Sequence, residues 1–285
     1  MRTATRINRV WPRGIAPCGP PVYAHAMLSY QHQYHAGNLA DVHKHAMLAV
    51  MLDYLTAKAK PLSYIETHAG RGLYDLGSEA AIRTGEAAAG VLAVEARFGA
   101  DHPYRLRLAE VRAMHGPQAY PGSPLIAALS LREADVLHLA DLHPQEHAAL
   151  SAAAAPWGAH VYRRDGFEMA LALTPPTPRR GLMLIDPSWE VKAEYDRVPD
   201  IMAKVHAKWN VGVLALWYPL LTGAAHAPML DRLATLFPGA LRHEVRFPPA
   251  RAGHRMVGSG MFVVNPPWGL ADRAAEIARL VGGAG

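Results

Sequence analysis

Apolar positions along the chain change period repeatedly, and the changes mark out alternating strands and helices. From about Val42, apolar residues recur at helical spacing through Met47, Leu48, Met51, Leu52 and Leu55. This predicts a helix that ends near Ala59, before Lys60-Pro61, with Asp41 as its N-cap. Leu62–Ile65 then reads as a strand. Residues 73–134 carry helical patterns at Ala87–Phe98, Tyr104–Met114 and Ser123–Leu131, without a strong strand. The stretch is long for a crossover connection and reads as a helical insertion.

Four more alternations follow. Val136–Ala140 leads to a helix from about Pro144 to Ala154. His160–Arg163 leads to a helix ending near Leu173. Leu182–Ile185 leads to a helix from about Val191 to Lys208. Val211–Trp217 leads to a helix around Met229–Leu236. The style then changes. Leu241–Phe247 and Met261–Val264 read as a hairpin-like pair around a Pro- and Arg-rich loop, and Ala271–Val281 as a closing helix. The expectation is an α/β, Rossmann-like fold: about seven strands in a mostly parallel sheet with an antiparallel edge.

Composition narrows this picture. With 285 residues, 51% of them hydrophobic, the chain can bury one large core. Its longest apolar runs are too short to span a bilayer, so a soluble protein is expected, and the low cysteine count fits a cytoplasmic one. The single cysteine, Cys18, excludes an intramolecular disulfide framework and cysteine-rich zinc sites. The net charge of +5 is misleading. Of 29 Lys and Arg, Arg2, Arg6, Arg9 and Arg13 lie in residues 1–26, which hold no acid; the rest of the chain has 25 basic and 24 acidic residues. Any basic footprint for a polyanion must be local, with Arg163-Arg164, Arg179-Arg180 and Arg251–Arg255 as candidates. Residues 1–26 are rich in Pro, Gly and Arg and read as a disordered extension, which makes Met27 the expected physiological start.

The chemistry gathers at strand ends, where open α/β sheets bind ligands. The first strand runs into Glu66-Thr-His-Ala-Gly-Arg-Gly72, a turn whose glycines let backbone approach a ligand. Later strands end at Asp141, Asp165 and Asp186. A carboxylate after the second strand suits ribose hydroxyls, and Asp165 suits an adenine amino group. No Walker lysine motif is present, so S-adenosylmethionine is favoured over a nucleoside triphosphate. Asp186-Pro-Ser-Trp189 supplies the reaction. An acid and the Pro187 carbonyl can accept from both N–H groups of an exocyclic amine, and Trp189 can offer a stacking face to an extruded base. This resembles the Asp/Asn-Pro-Pro-aromatic signature of adenine-N6 methyltransferases. Asn265-Pro-Pro-Trp268 matches the same signature but follows the last strand, and Asp186 is preferred because its strand should lie beside the cofactor strand.

Sixteen histidines raise the question of a metal. His32, His35, His43 and His45 cluster near Asp41, but no His-Glu-x-x-His and no cysteine partner accompanies them, so no metal is expected.

Longer patterns carry a family resemblance. They are Met27-Leu-Ser-Tyr-x-His-x-x-His-Ala-Gly-Asn-x-Ala-Asp-Val-x-Lys-His45, Thr67-His-Ala-Gly-x-Gly72, Tyr120-Pro-Gly-Ser-Pro124, Leu142-His-Pro144, Asp165-Gly-Phe167, Ala215-Leu-Trp-Tyr-Pro219 and Gly258-Ser-Gly-Met261. Together with Asn265–Trp268 they resemble the large-subunit ribosomal RNA methyltransferase J family over about residues 27–280. The resemblance implies a class I methyltransferase domain over 27–285, with S-adenosylmethionine as cofactor and N6 of one adenine in 23S rRNA as target. It assigns cofactor contacts to Lys44, His45, His68, Ser123, Asp141, Asp165 and Gly166, catalysis to Asp186, and an RNA contact to Tyr30. Asp141 stands where the family has glutamate, and Ser188-Trp189 where it has Pro-Tyr. Ser188 loses the fixed φ of proline, which implies a less rigid loop and slower turnover. The competing readings are a DNA adenine-N6 methyltransferase, which the near-neutral body disfavours, and a non-catalytic S-adenosylmethionine- or RNA-binding protein. A monomer is expected.

Overall fold

The computed structural model describes residues 32–249, 253 and 255–282. The expected N-terminal extension, Tyr30, Arg251 and His254 lie outside the described residues. The elements run α1 (Leu39–Thr56), β1 (Ser63–Glu66), β2 (Leu73–Asp75), α2 (Glu79–Thr84), α3 (Glu86–Ala89), α4 (Val91–Val94), α5 (Pro103–His115), β3 (Ala119–Pro121) and α6 (Ser123–Ser130). They continue with β4 (Val136–Ala140), α7 (Pro144–Ala154), β5 (His160–Tyr162), α8 (Gly166–Leu173), β6 (Gly181–Ile185), α9 (Glu194–Lys208), β7 (Val213–Leu221), α10 (Ala227–Leu236), β8 (Leu241–Arg246), β9 (Met256–Val264) and α11 (Leu270–Gly282).

Seven strands form one sheet in the order β5-β4-β1-β6-β7-β9-β8. The pairs from β5 through β7 are parallel, and β9 is antiparallel to both its neighbours. The antiparallel strand is thus not at the edge. It is inserted between β7 and β8, and β8 is outermost.

Side chains alternate between two cores, as the period of two requires. Tyr64, Leu182, Leu184, Ala215 and Val263 face the layer that holds α1, α6 and α11. Ile65, Met183, Ile185, Leu214 and Phe262 face the layer of α9 and α10. Both faces are covered, which is why β6 is apolar throughout.

Helix α1 begins at Leu39, one turn earlier than its apolar period suggests. Asn38 is the N-cap, and its side chain accepts from the Asp41 amide. Asp41 is therefore inside the helix and free for other contacts. The predicted helix at Ala87–Phe98 is broken at Gly90, where a Cβ would stand 2.1 Å from the Gly37 carbonyl oxygen. The segment between β1 and β4 also contains the antiparallel pair β2-β3, absent from the sequence expectation. Its strands are only three residues each, too short to show a period. Strand β9 starts earlier than expected because Gly258-Ser-Gly260 continues it beside the Tyr218 ring. Among the described residues no helix is long and apolar enough to cross a membrane.

Candidate active site

The carboxyl ends of β1, β4, β6 and β7 open onto a cavity of about 670 Å³. That volume is ordinary for a cofactor site. Its lining includes Lys44, His45, His68, Ser123, Asp141, Asp186, Pro187 and Trp189. These residues come from separate parts of the sequence and meet because parallel strands end on one rim. Asp165 and Gly166 are not in the lining. Asp165 caps α8 by accepting from the Glu168 amide at 2.9 Å, and Arg197 faces its carboxylate at 3.3 Å. Gly166 lets α8 press on the β1 turn: a Cβ there would lie 1.8 Å from the Thr67 carbonyl oxygen. Its fit to the turn explains glycine at this position without any ligand.

The turn after β1 has Gly70 at φ 61° and Gly72 at φ 78°, a conformation that favours glycine. The Gly70 amide donates to Asp141 Oδ2 at 2.9 Å and the His143 amide to Asp141 Oδ1 at 2.8 Å. Each carboxylate oxygen keeps a second lone pair for a ligand hydroxyl. Burial pushes the Asp141 carboxyl up to about 6 against these two bonds. Beneath the turn, Glu66 is fully buried and accepts from Ser123 Oγ and from Tyr64 OH. Burial pushes its carboxyl up to about 8.

Stability should therefore depend on Glu66 and pH with a definite sign. A carboxyl whose folded pKa lies above its ordinary value favours folding while protonated, and that contribution fades as pH rises from about 4.5 toward 8. The slope is at most about 1.4 kcal/mol per pH unit. We expect Glu66→Gln to flatten it. The melting temperature of the variant should gain on the wild type as pH goes from 5 to 9, and equal slopes would count against the assignment.

Helix α1 brings charge into the interior. Asp41, Lys44 and His45 share one face at helical spacing and are all buried. Lys44 Nζ donates to Asp186 Oδ2 at 2.6 Å and sits 3.2 Å from Asp41 Oδ1. Asp41 Oδ2 also accepts from the Gly37 amide at 3.0 Å and from His32 Nε2 at 2.9 Å. Burial alone would lower the Lys44 pKa, but Asp186 and Asp41 outweigh it and hold the ammonium charged. Burial likewise opposes ionisation of Asp41, and His32 and Lys44 overcome it. Asp186 is pushed up by burial, with Lys44 pulling the other way.

The histidines near Asp41 go to different partners. His45 Nδ1 lies 2.9 Å from Tyr120 OH; His35 Nδ1 lies 3.0 Å from Glu86; His43 bonds Ser259 Oγ and His243, both at 2.9 Å. Burial pushes His43 and His45 down to about 3 and His68 down to about 4, so all three are neutral near pH 7.

Trp189, expected to offer a stacking face, lines the cavity. It is only 7% exposed, and its ring packs on Tyr195 with centroids 4.7 Å apart. Tyr195 also lines the cavity, and among the described residues neither Trp189 Nε1 nor Tyr195 OH has a hydrogen-bond partner. Sequence patterns single out neither Tyr195 nor Glu194. They follow Trp189 by six and five positions and carry no motif of their own.

Sheet direction separates the two matching motifs. Asp186 follows the carboxyl end of parallel β6 and lines the cavity. β9 runs the other way and pairs Val264 with Leu214, near the start of β7. Asn265 is therefore on the opposite rim, where its side-chain amide donates to the Asn210 and Gly212 carbonyls at 2.9 and 2.8 Å.

This sheet order, with a glycine turn and carboxylates on one rim, defines a class I methyltransferase that uses S-adenosylmethionine. The donor set fits that cofactor: Asp141 can accept from ribose hydroxyls, the neutral His68 borders the turn, and Gly70 and Gly72 leave room for backbone approach. Comparison with known proteins supplies the particular group. The profile described as Ribosomal RNA large subunit methyltransferase D, RlmJ, matches residues 59–282. The chain is 41% identical over 258 residues to Ribosomal RNA large subunit methyltransferase J of Escherichia coli, covering 88% of this chain and 91% of that protein. It is 36% identical over 257 residues to the protein of the same name from Haemophilus influenzae, covering 88% and 92%. The crystal structure of protein LPL1258 from Legionella pneumophila is similar at 32% identity and a TM-score of 0.75, over 87% of this chain and 94% of that one. The chain belongs to the ribosomal RNA large subunit methyltransferase J family.

Proposed function

We propose that the protein methylates N6 of an adenine in 23S rRNA, acting in the cytoplasm as a monomer. The observation that carries this is Asp186 at the tip of β6, exposed to the same cavity as the glycine turn, with one carboxylate oxygen still free. Lys44 takes Asp186 Oδ2, and Oδ1 has no hydrogen-bond partner among the described residues. The Pro187 carbonyl is the neighbouring acceptor. Together they hold the two N–H groups of an exocyclic amine.

That hold matters because the nitrogen lone pair is delocalised into the adenine ring. Accepting both N–H bonds favours a pyramidal nitrogen whose lone pair is directed along one line. S-adenosylmethionine, when bound, supplies the sulfonium methyl. Lys44 fixes the carboxylate's orientation, and Asp186 Oδ1 is the atom in contact with the proton that the nitrogen must lose. Carboxylates, neutral histidines and aromatic rings line the cavity, a surface suited to a cationic cofactor and a flat base. Lys192 and Arg255, both exposed on its margin, suit the phosphates on either side of that base.

Methyl-labelled cofactor offered with protein-free 23S rRNA, large subunits and duplex DNA tests the proposal. Label is expected in rRNA as N6-methyladenosine at one position, missing from cells that lack the protein. Label in duplex DNA alone would overturn it.

A further inference from the structure

We infer that Glu194 is a positioning residue for the Asp186-Pro-Ser-Trp189 loop: its carboxylate pins the Trp189 amide and so fixes where Asp186 Oδ1 and the Pro187 carbonyl meet the amine. The inference rests on the amine-holding role proposed above for that loop.

Trp189 has φ 60°, a left-handed conformation that a bulky side chain adopts only when its surroundings impose it. The constraint is visible. The Trp189 amide donates to Glu194 Oε2 at 2.8 Å, and Glu194 is 5% exposed. Within the loop the Glu190 amide lies 3.5 Å from Ser188 Oγ, a longer contact than the one Glu194 makes. The next residue, Tyr195, holds the ring of Trp189 by packing against it. The first two residues of α9 therefore grip Trp189 by backbone and by side chain.

The helix itself favours this arrangement. Ala193 at the N-cap gives α9 no side-chain cap, and the Glu194 and Tyr195 amides donate instead to the Val191 and Lys192 carbonyls at 2.9 and 3.3 Å, leaving the Glu194 side chain at the positive dipole end of the helix. Burial pushes the Glu194 carboxyl up to about 7, and the Trp189 amide and the nearby Arg197 favour its charged form against that burial. Only two residues separate Trp189 from Asp186, too few to absorb a shift of one without moving the other. In a loop with serine at 188, pinning by Glu194 does what a second proline's fixed φ would do.

Two substitutions and two readouts test this. Glu194→Ala removes the acceptor, and Glu194→Gln keeps one. In Glu194→Ala, kcat on rRNA is expected to fall about 10- to 100-fold, the cost of a displacement near 1 Å in an aligned site. S-adenosylmethionine affinity by calorimetry should stay within about 3-fold, because Asp141 and the glycine turn are on other strands. Amide exchange across residues 188–190 should rise. Glu194→Gln should recover most of both changes. An Ala variant with faster exchange but wild-type kcat would overturn the inference, as would a Gln variant as slow as Ala. Wild-type protein that transfers no methyl to any rRNA would instead defeat the underlying function, whatever the exchange data show.

Discussion

Replacing Asp186 with alanine is expected to lower methyl transfer by about two to four orders of magnitude, the range for removing a group that acts on the reacting atoms. Replacing Asn265 with alanine should leave the rate within about 3-fold. The motifs are near twins in sequence, so the contrast isolates geometry. Asp186 is at the carboxyl end of a parallel strand, above the cavity. Asn265 is at the end of an antiparallel strand on the far rim, satisfying two carbonyls. Its loss should cost about 1 kcal/mol per hydrogen bond in stability and little in chemistry. Asp186→Asn should fall between, since an amide oxygen still accepts from the amine but no longer pairs with Lys44. Single-turnover rates at saturating cofactor are the measurement that checks this series. Full activity in Asp186→Ala with loss in Asn265→Ala would reverse the assignment.

The sheet was largely legible because apolar runs of strand length recur between helical periods, and because buried parallel strands announce themselves as unbroken apolar segments. β6 is the clearest case. Asp141 and Asp186 were legible for the same reason: a carboxylate directly after such a run must emerge at the rim. The interior face of α1 was not. A buried Asp41 or Lys44 violates the rule that charges face water, and only a partner far away in sequence makes it tolerable. Lys44 and Asp186 are 142 residues apart, and no local pattern encodes that distance. Asp41 reads as a cap from sequence because caps and buried acids look alike at a helix start. Trp189 reads as a stacking face from sequence, and nothing local predicts that the Tyr195 ring packs against it. The Gly90 break was hidden for a related reason: the Gly37 carbonyl that forbids a side chain there comes from another part of the chain. What sequence leaves out in each case is a contact made by topology.

Lys44→Met should show how strongly the site depends on one of those contacts. The substitution keeps most of the side-chain volume and removes the cation that Asp41 and Asp186 share. Breaking a buried pair by deleting one partner typically costs about 3–5 kcal/mol, because the charge left behind has lost both water and counter-ion. Here two carboxylates are left facing each other. Asp41 keeps the Gly37 amide and His32, so Asp186 should take most of the penalty and bind a proton more tightly. The folded variant then holds more protons than the unfolded chain above the ordinary carboxylate range. Its stability deficit should accordingly be largest near pH 8 and shrink toward pH 5. Methyl transfer should fall at least as far as stability does, since a protonated Asp186 no longer offers a charged acceptor to the amine. Thermal unfolding of Lys44→Met, Asp186→Ala and the double variant at both pH values measures this. The double variant should be more stable than Lys44→Met alone, because it removes the stranded carboxylate, yet no more active. Additive stability losses would mean that Lys44 and Asp186 are neighbours without being a pair, and the orientation of the acceptor would then have to come from the loop alone.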